Sequence, residues 1–141
     1  MRIADVLRGK GSGVATVHPS TGLTELLGLL ASHNVGALPV VDDGRLVGIV
    51  SERDVVRQLH ARGADLLAVR VADIMTTEVA TCAPTDSAAD LARIMTERRF
   101  RHMPVCDDGR LCGIVSIGDL VKARIDQLEA ERQQLQTYIA G

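Results

Sequence analysis

Apolar residues recur along the chain in two different spacings, which together predict helices and strands. Leu23, Leu26, Leu27 and Leu30 lie three and four residues apart, as on one face of an α-helix. Two runs rich in Val, Leu and Ile, "ALPVV" and "RLVGIV", are separated by Asp-Asp-Gly, which is typical of a β-hairpin. An extended segment, "VATVHP", precedes them, and a further helix is predicted to begin at Ser51. The predicted order is strand, helix, strand, strand, helix.

This pattern occurs twice. When the chain is shifted by 65 residues, Val14–Arg57 aligns without a gap with Val79–Lys122, and 18 of the 44 positions are identical. Upstream, "IADVL" (Ile3–Leu7) matches "VADIM" (Val71–Met75) at an offset of 68, because the first copy has three more residues in the loop "RGKGSG". Both segments predict a short lead-in helix. Two copies are too few for a solenoid, so we expect a pseudo-symmetric pair of units that bury their faces against each other.

The predicted fold class is therefore mixed α/β (α+β), with two β-α-β-β-α units. We place the first unit and its lead-in helix at residues 1–65, the second unit at 66–124 and a C-terminal helix at 120–141. "HARGADLLAVR" (His60–Arg70) links the copies. In the second unit, "TDSAADLARIMTERR" predicts a helix that Thr85 or Asp86 caps and that ends in basic residues, as the helix dipole favours.

The C-terminal segment "DLVKARIDQLEAERQQLQTYIAG" predicts one long helix. Steps of four and three residues separate the members of its seam, of which one is charged: Val121, Ile125, Leu128, Arg132, Leu135 and Ile139. The helix either packs on its own domain or forms a dimer contact, since so narrow a stripe on a protruding helix needs a partner. Arg132 argues against a long, tight coiled coil.

Composition narrows the class of protein. The chain has 141 residues, of which 46% are apolar and 24% charged, and this is typical of a soluble globular protein. A formal net charge of −2 gives no electrostatic argument for nucleic-acid binding. No apolar run approaches the roughly 20 residues of a membrane span, and "MRIADVLRGKG" is too short and too charged for a signal peptide. We expect a cytoplasmic protein that binds neither nucleic acid nor membrane.

The cysteines and histidines indicate no metal or disulfide chemistry. Cys82, Cys106 and Cys112 include no C-x-x-C pair. If the hairpin loop has two residues, Cys112 pairs with Val105 and the thiols of Cys106 and Cys112 point to opposite faces, so we expect free, buried thiols. The four histidines lack metal-ligand spacing. Since the motifs of nucleophilic, phosphate-loop and zinc enzymes are also absent, we predict neither catalytic residues nor metal ligands, and no enzyme activity.

Each hairpin ends in Gly-Ile-Val followed by a Ser-x-x-Asp, and this pair of motifs has two interpretations. Ser51 with Asp54 and Ser116 with Asp119 match the capping box of a helix, which contributes on the order of 1 kcal/mol. The same groups also lie where a sheet edge meets the positive end of a helix. A ribose-phosphate suits that position, because the carboxylate accepts hydrogen bonds from sugar hydroxyls and the serine and backbone N–H groups face phosphate. The repeat predicts two equivalent clefts of this kind.

At this point the repeated unit strongly resembles the CBS domain, named after cystathionine β-synthase. The chain looks like a tandem pair, or Bateman module, and the resemblance covers Ile3 to about Arg124. "VADIM" followed by Thr76, "ALPVVDDGRLVGIVSERD" and "RHMPVCDDGRLCGIVSIGD" carry it. The resemblance implies that the units pack through their sheets about a pseudo-twofold axis. It also implies adenosine ligands, usually AMP, ADP or ATP and in some members NAD or S-adenosylmethionine.

The resemblance further implies a set of binding residues. The aspartate of each Ser-x-x-Asp holds the ribose, while the adenine lies between the backbone of the first strand and the residues before the hairpin. In the first copy these positions are Val14, Ala15, Ala37, Leu38, Pro39, Ser51 and Asp54. In the second they are Thr77, Val79, Ala80, Arg101, His102, Met103, Pro104, Ser116 and Asp119. Arg53 and, as a weaker candidate, Lys10 are added as contacts for phosphate because of their charge and position.

The copies differ where phosphate is expected. Arg101 and His102 occupy positions at which some members of the family place basic phosphate contacts, whereas the first copy has Gly36 and Ala37 there. The first copy instead carries Arg53 directly before its aspartate, within reach of a phosphate in the neighbouring cleft. The same basic residues also suit a solvated helix end.

Two functions from different classes remain. The first is a regulatory module that binds an adenosine nucleotide, senses energy or cofactor state and acts in trans on an unknown regulated protein. The second is a dimeric protein-interaction adaptor with vestigial nucleotide clefts. Because the family stacks tandem pairs into a flat disc, we expect a homodimer that forms through the CBS units and the C-terminal helix.

Overall fold

The computed structural model describes residues 1–11 and 13–140 and confirms the mixed α/β class. The described residues form four strands, six α-helices and one 3₁₀ helix. In chain order these are α1 Ile3–Lys10, α2 Leu23–His33, β1 Ala37–Asp42, β2 Arg45–Ser51, α3 Glu52–Arg62, the 3₁₀ helix Gly63–Ala68, α4 Val71–Ile74, α5 Ala88–Arg98, β3 His102–Asp107, β4 Arg110–Ser116 and α6 Ile117–Ala140. The long C-terminal helix is confirmed as α6, although Gly141, its last predicted residue, lies outside the described residues.

The four strands form one sheet in the order β1-β2-β4-β3, in which each repeat supplies one hairpin. Asp43-Gly44 and Asp108-Gly109 make the two turns, and all four residues have positive φ, as a type I′ turn requires. Among the described residues, the β-ladder between the two hairpins has a single residue pair, Arg45 of β2 with Arg110 of β4. From either edge inwards, the first strand of a hairpin is followed by its second strand, so corresponding strands of the two repeats occupy equivalent places. This arrangement puts an approximate twofold axis between β2 and β4.

The predicted first strand of each repeat is wrong in extent, because each forms only a single parallel bridge. Val17 pairs with Val40, and Cys82 pairs with Val105. The Val17 N–H donates to the Pro39 carbonyl at 3.0 Å, and the Val17 carbonyl accepts from the Val41 N–H at 2.8 Å. Lengthening this ladder in either direction needs an N–H from Pro39 or Pro19, and proline has none. Pro104 and Pro84 limit the second repeat in the same way.

The predicted cap of α5 is also wrong. The N-cap is Ser87, whose hydroxyl oxygen accepts the N–H of Asp90 at 3.3 Å. Asp86 is engaged elsewhere, because its carboxylate accepts the N–H of Ala83 at 2.8 Å and closes the turn before the helix.

The cysteines are free, but only one is buried. A β-bulge in the second hairpin pairs Val105 with Gly113 and Cys106 with Leu111, so Cys112 is the extra residue and does not pair with Val105 as predicted. Cys112 is exposed and Cys106 is half-buried. Burial, with smaller contributions from Asp86 and Cys106, raises the pKa of the buried Cys82 thiol to about 12, so it stays protonated at neutral pH.

The hydrophobic core has two parts, and each repeat completes its own part with the lead-in helix of the other. Ile3 and Val6 of α1 pack into the core of the second repeat, beside Met95 and Val115. Val71 and Ile74 of α4 pack into the core of the first repeat. Ile3 and Val71 are both completely buried. The repeats therefore exchange their lead-in helices, and neither core is complete without the other repeat.

The C-terminal half of α6 extends beyond both cores. Leu120 is its one buried residue, and every residue of the helix after Leu128 is exposed. The seam side chains are largely exposed, with Leu135 at 62% and Ile139 at 81%. The prediction that this helix packs on its own domain therefore holds only for its first turns. Among the described helices, including this one of 24 residues, none is both long and apolar enough to cross a membrane.

Two equivalent glycines allow the exchanged segments to lie close to the sheet, and they give a matched test of that packing. A Cβ atom at Gly48 would lie 2.8 Å from the sulfur of Met75 and 2.9 Å from the backbone oxygen of Thr76. A Cβ atom at Gly113 would instead lie 2.8 Å from Cδ2 of Leu7, a side chain that can rotate away. We expect Gly48→Ala to lower the free energy of unfolding by about 1–3 kcal/mol, and Gly113→Ala to lower it less.

Urea denaturation of the two variants measures this difference. Gly28→Ala is the control, because a Cβ there meets nothing within 4 Å in the middle of α2, and it should raise stability by about 0.5–1 kcal/mol. Equal losses in Gly48→Ala and Gly113→Ala would show that the Thr76 backbone is not the obstacle.

Candidate functional site

Both Ser-x-x-Asp motifs form the helix cap that the sequence predicts. Asp54 accepts the N–H of Ser51 at 2.9 Å, and the Ser51 hydroxyl oxygen accepts the N–H of Asp54 at 3.2 Å. The corresponding distances between Asp119 and Ser116 are 2.9 and 3.0 Å. Within the described part of the chain, all hydrogen bonds to the two carboxylates use Oδ2, which leaves Oδ1 available to a ligand.

Each cap lies directly opposite the start of the neighbouring strand. In the hairpin registers, Ser51 pairs with Ala37 and Ser116 pairs with His102. The first helical N–H is already used, because Glu52 donates to the Gly36 carbonyl at 2.9 Å and Ile117 to the Arg101 carbonyl at 3.0 Å. For the second helical N–H, of Arg53 in α3 and Gly118 in α6, we find no acceptor among the described residues. This N–H is a free donor at the positive end of each helix.

In the second repeat, the cap lies beside a lysine that comes from the first repeat. The Lys10 ammonium donates to Oδ2 of Asp119 at 2.7 Å and to the carbonyl of Ile114 at 2.8 Å. Lys10 is the last residue of α1, which the helix exchange places against β4. We define the Asp119 cleft by five residues: Lys10, His102, Ile114, Ser116 and Asp119.

The first repeat has the same arrangement without a lysine. Ile49, the counterpart of Ile114, exchanges two backbone hydrogen bonds of 2.9 Å with Thr76. Asp54 receives an additional hydrogen bond from the Ser51 hydroxyl at 3.0 Å. We define the Asp54 cleft by Ala37, Ile49, Ser51, Asp54 and Thr76. In both clefts the segment beside the aspartate comes from the other repeat.

Charge interactions in the Asp119 cleft shift two pKa values. Burial acts to raise the pKa of Asp119, but hydrogen bonds from Lys10 and Ser116, together with the lysine charge, hold that pKa below its ordinary value. Burial lowers the pKa of His102, and the charges of Lys10 and Arg101 lower it further against the opposing effect of Asp119. His102 is therefore neutral at pH 7, and its ring can accept or donate a hydrogen bond in the cleft.

The remaining predicted residues separate into buried and accessible groups. The side chains before each hairpin are core residues: Leu38 is 1% exposed, Met103 is 3% exposed, and Pro39 and Pro104 are below 2%. These positions can reach a ligand only through their backbone. Arg53, Thr77, Ala80 and Arg101 are exposed, and Val14, Ala15 and Val79 are half-buried.

Two grooves along the sheet are each lined by first-strand residues of one repeat and by sheet residues of the other. A cavity of about 460 Å³ places Thr77 and Val79 against Gly48 of β2. A cavity of about 450 Å³ places Lys10 and Val14 against Gly113 of β4. Both strand segments are predicted from the sequence, but their partners in the other repeat are not, and Ile49, Thr76 and Ile114 are not among the predicted site residues. The three additional residues before Val14 are a sequence difference next to one of the two edges. Within the described residues, no cluster of His, Cys, Asp and Glu side chains could hold a metal ion.

The contact between Lys10 and Asp119 predicts a pH-dependent contribution to stability. Since folding lowers the pKa of Asp119 from its ordinary value of 3.8, the ionised carboxylate stabilises the fold above that pH, and this stabilisation is lost as the pH falls through the folded-state pKa. A double-mutant cycle with Lys10→Met and Asp119→Asn, measured by urea denaturation, should give a coupling of up to about 1 kcal/mol at pH 7. The coupling should decrease as the pH is lowered below 3.8 and through the folded-state pKa of Asp119. An unchanged coupling at the lower pH would contradict the ion pair.

Comparison with known proteins places the chain in a family. The model of the CBS domain matches residues 10–61 and 71–126. A CBS-domain containing protein from Agrobacterium tumefaciens is 44% identical, with a TM-score of 0.81 over 88% of this chain and 99% of that one. CBSX2 from Arabidopsis thaliana, in a structure with AMP, is 32% identical, with a TM-score of 0.75 over 89% of this chain and 96% of that one.

A third structure is the CBS domain pair of protein MJ0100 in complex with 5′-methylthioadenosine and S-adenosyl-L-methionine. It is 27% identical, with a TM-score of 0.75 over 90% of this chain and 98% of that one. The two matched segments contain the two sequence repeats, Val14–Arg57 and Val79–Lys122. The chain therefore belongs to the CBS-domain family, and it carries two CBS domains in tandem.

Proposed function

We propose that the protein is a regulatory module that binds an adenosine nucleotide between its repeats and changes how it contacts a partner protein. The ligand class is AMP, ADP or ATP, with NAD as a further member. Binding alone carries the regulation, and no bond in the ligand is broken. The residues assigned to the ligand are those of the Asp119 and Asp54 clefts, together with the exposed cations next to them.

The Asp119 cleft carries this proposal, because its groups suit both halves of a ribose-phosphate. Oδ1 of Asp119 is available to accept from a ribose hydroxyl, while Oδ2 caps the helix and pairs with Lys10. The N–H of Gly118 and the side chains of Lys10 and Arg101 are donors for phosphate. Within one site, a carboxylate therefore lies beside several cationic or N–H donors, as a nucleotide requires and a helix cap does not.

The related structures support the same class of ligand. CBSX2 holds AMP, and the MJ0100 pair holds two adenosine compounds without phosphate. Both proteins share the fold of this chain over at least 89% of its length. The adenine in this chain then lies against the backbone of residues 37–39 or 102–104, because the side chains of Leu38 and Met103 are buried in the core.

Ligand-induced stabilisation tests the proposal. AMP, ADP, ATP, NAD and S-adenosylmethionine should be compared by thermal shift, each at about 100 times its dissociation constant as measured by titration calorimetry. A ligand of the native state then stabilises it by roughly 2.7 kcal/mol, which raises the melting temperature by roughly 5–10 °C for a chain of this size. Unchanged melting temperatures with every ligand at millimolar concentration would reject nucleotide binding.

Matched aspartate variants separate ligand binding from helix capping. Asp54→Asn and Asp119→Asn keep an oxygen acceptor for the cap but remove the charge, and each should weaken nucleotide binding at its own cleft at least tenfold. Asp73→Asn is the control, because Asp73 accepts the N–H of Arg70 at 2.9 Å in a helix cap that is part of neither Ser-x-x-Asp motif. Equal affinities in all three variants would leave the aspartates with a capping role only.

A second candidate function, that of a dimeric interaction protein, is favoured by the exposed stripe of α6. Ile125, Leu128 and Leu135 lie on one face of the helix and are 46–62% exposed. The occupant that we propose is a second copy of the chain. In a parallel pair of these helices, Arg124 of one chain lies opposite Glu129 of the other, so the flanking charges are complementary. This dimer is compatible with nucleotide binding. It would account for the function by itself only if neither cleft binds a nucleotide.

Charge substitution on the stripe tests the dimer. Leu135→Asp should weaken self-association at least tenfold, because it places a charge in the apolar contact, while the exposure of Leu135 predicts little loss of stability in the monomer. Arg132→Leu should strengthen the association. Sedimentation equilibrium at micromolar concentration measures both effects. Gln133→Asp adds the same charge beside the stripe and serves as the control, and a monomeric wild-type protein would refute the dimer.

A further inference from the structure

In the two clefts, the backbone groups at the edge of the neighbouring strand have different hydrogen-bond partners. At β2, the Ile49 carbonyl accepts the backbone N–H of Thr76 at 2.9 Å, and the Ile49 N–H donates in return. At β4, the equivalent Ile114 carbonyl accepts the side-chain ammonium of Lys10 at 2.8 Å. Ile49 of β2 is therefore hydrogen-bonded to backbone, and Ile114 of β4 is hydrogen-bonded to a side chain. A backbone bridge separates only when a segment of the chain moves, whereas a lysine side chain withdraws by rotating about its own bonds.

The Lys10 ammonium also pairs with the carboxylate that is proposed to hold the ribose. Lys10 donates to Oδ2 of Asp119 at 2.7 Å, whereas Asp54 receives its extra hydrogen bond from the uncharged hydroxyl of Ser51 at 3.0 Å. Among the described residues, no cation pairs with Asp54. Oδ1 of each carboxylate is open to one ribose hydroxyl, but a ribose whose two hydroxyls engage both carboxylate oxygens also reaches Oδ2. At Asp119 this second contact competes with a charge, and at Asp54 it does not.

We propose that Lys10 is a specificity-determining latch, which makes the Asp119 cleft selective for adenosine ligands that carry a phosphate. This inference rests on the proposed nucleotide-binding function. A nucleoside displaces the ammonium from Asp119 and offers it no counter-charge. A nucleotide displaces it equally but supplies an anion, so the ammonium exchanges one anionic partner for another. The Asp54 cleft has no latch and accepts both classes.

The surroundings of Lys10 allow this movement and favour its direction. Lys10 ends α1, and next to it a Cβ atom at Gly9 or Gly11 would meet nothing within 4 Å, so the segment has space around it. The Lys10 side chain is 40% exposed. The charges of Lys10 and Arg101 both act on His102, so the two cations lie near the same ring. With Asp119 engaged by a ribose, Lys10 and Arg101 leave local positive charge that a phosphate can neutralise.

The test compares adenosine and AMP on the full-length protein. Asp54→Asn is introduced first, so that calorimetry reports the Asp119 cleft. In this background, Lys10→Met should bind adenosine about tenfold more tightly, because no ammonium has to be displaced, and should bind AMP no more tightly than before. The ratio of the two affinities should therefore fall about tenfold. Lys10→Gln, which keeps a donor for Ile114 without the charge, should change the ratio in the same direction.

Arg93→Met is the matched control. It removes one positive charge from an exposed pair with Glu97 on α5, where the side chains are 63% and 62% exposed, and it should leave the ratio unchanged. If Lys10→Met leaves the ratio unchanged, or weakens both ligands equally while the parent protein binds AMP, the latch is wrong and the proposed function stands. If neither ligand binds the wild-type protein, the proposed function fails and the latch fails with it.

Discussion

The exchange of the lead-in helices is the contact on which the rest of the structure depends. Ile3 and Val71 are completely buried, and each lies in the core of the repeat to which it does not belong. An aliphatic side chain of this size contributes about 1.5–3 kcal/mol when it is buried, so neither core forms fully while the repeats are apart. The two hairpins contribute little to holding the repeats together, because the β-ladder between them has one residue pair, Arg45 with Arg110.

The exchange also builds the clefts, since α1 and α4 lead directly into the segments that line them. Lys10 ends α1 and contacts Asp119, while Thr76 follows α4 and pairs with Ile49. Each cleft therefore combines an aspartate from one repeat with a wall from the other. A ligand in such a cleft contacts both repeats at once and favours the arrangement in which they are docked. Core packing and the proposed ligand binding consequently depend on the same placement of the two lead-in helices.

The sequence predicts the local features of the fold better than it predicts contacts between the repeats. Both hairpins, both caps and the long helix follow from short-range rules, because Asp-Gly turns, Ser-x-x-Asp caps and heptad spacing act within a few residues. The first strands were predicted too long, although Pro19 and Pro39 already excluded a longer ladder. The exchange of α1 and α4 was not predictable, because an apolar face of two or three residues fits either core. For the same reason the residues Ile114 and Thr76 were missed, since their importance arises only from that exchange.

The fold is nearly symmetric, whereas the two clefts are not, and the difference lies at the ends of the two lead-in helices. α1 continues to Lys10 whereas α4 ends at Ile74, and the first copy has three more residues before its extended segment than the second. The sheet edge at Ile114 contacts the side chain of Lys10, while the edge at Ile49 contacts the backbone of Thr76. Among the described residues between Leu7 and Val14, none belongs to either hydrophobic core. The two copies thus keep the packing that both units need, while the last residue of α1 adds a positive charge to one of the two clefts. Under the proposed function, a substitution of Lys10 changes ligand selectivity without changing either core, and its effect on stability is limited to the loss of the ion pair with Asp119.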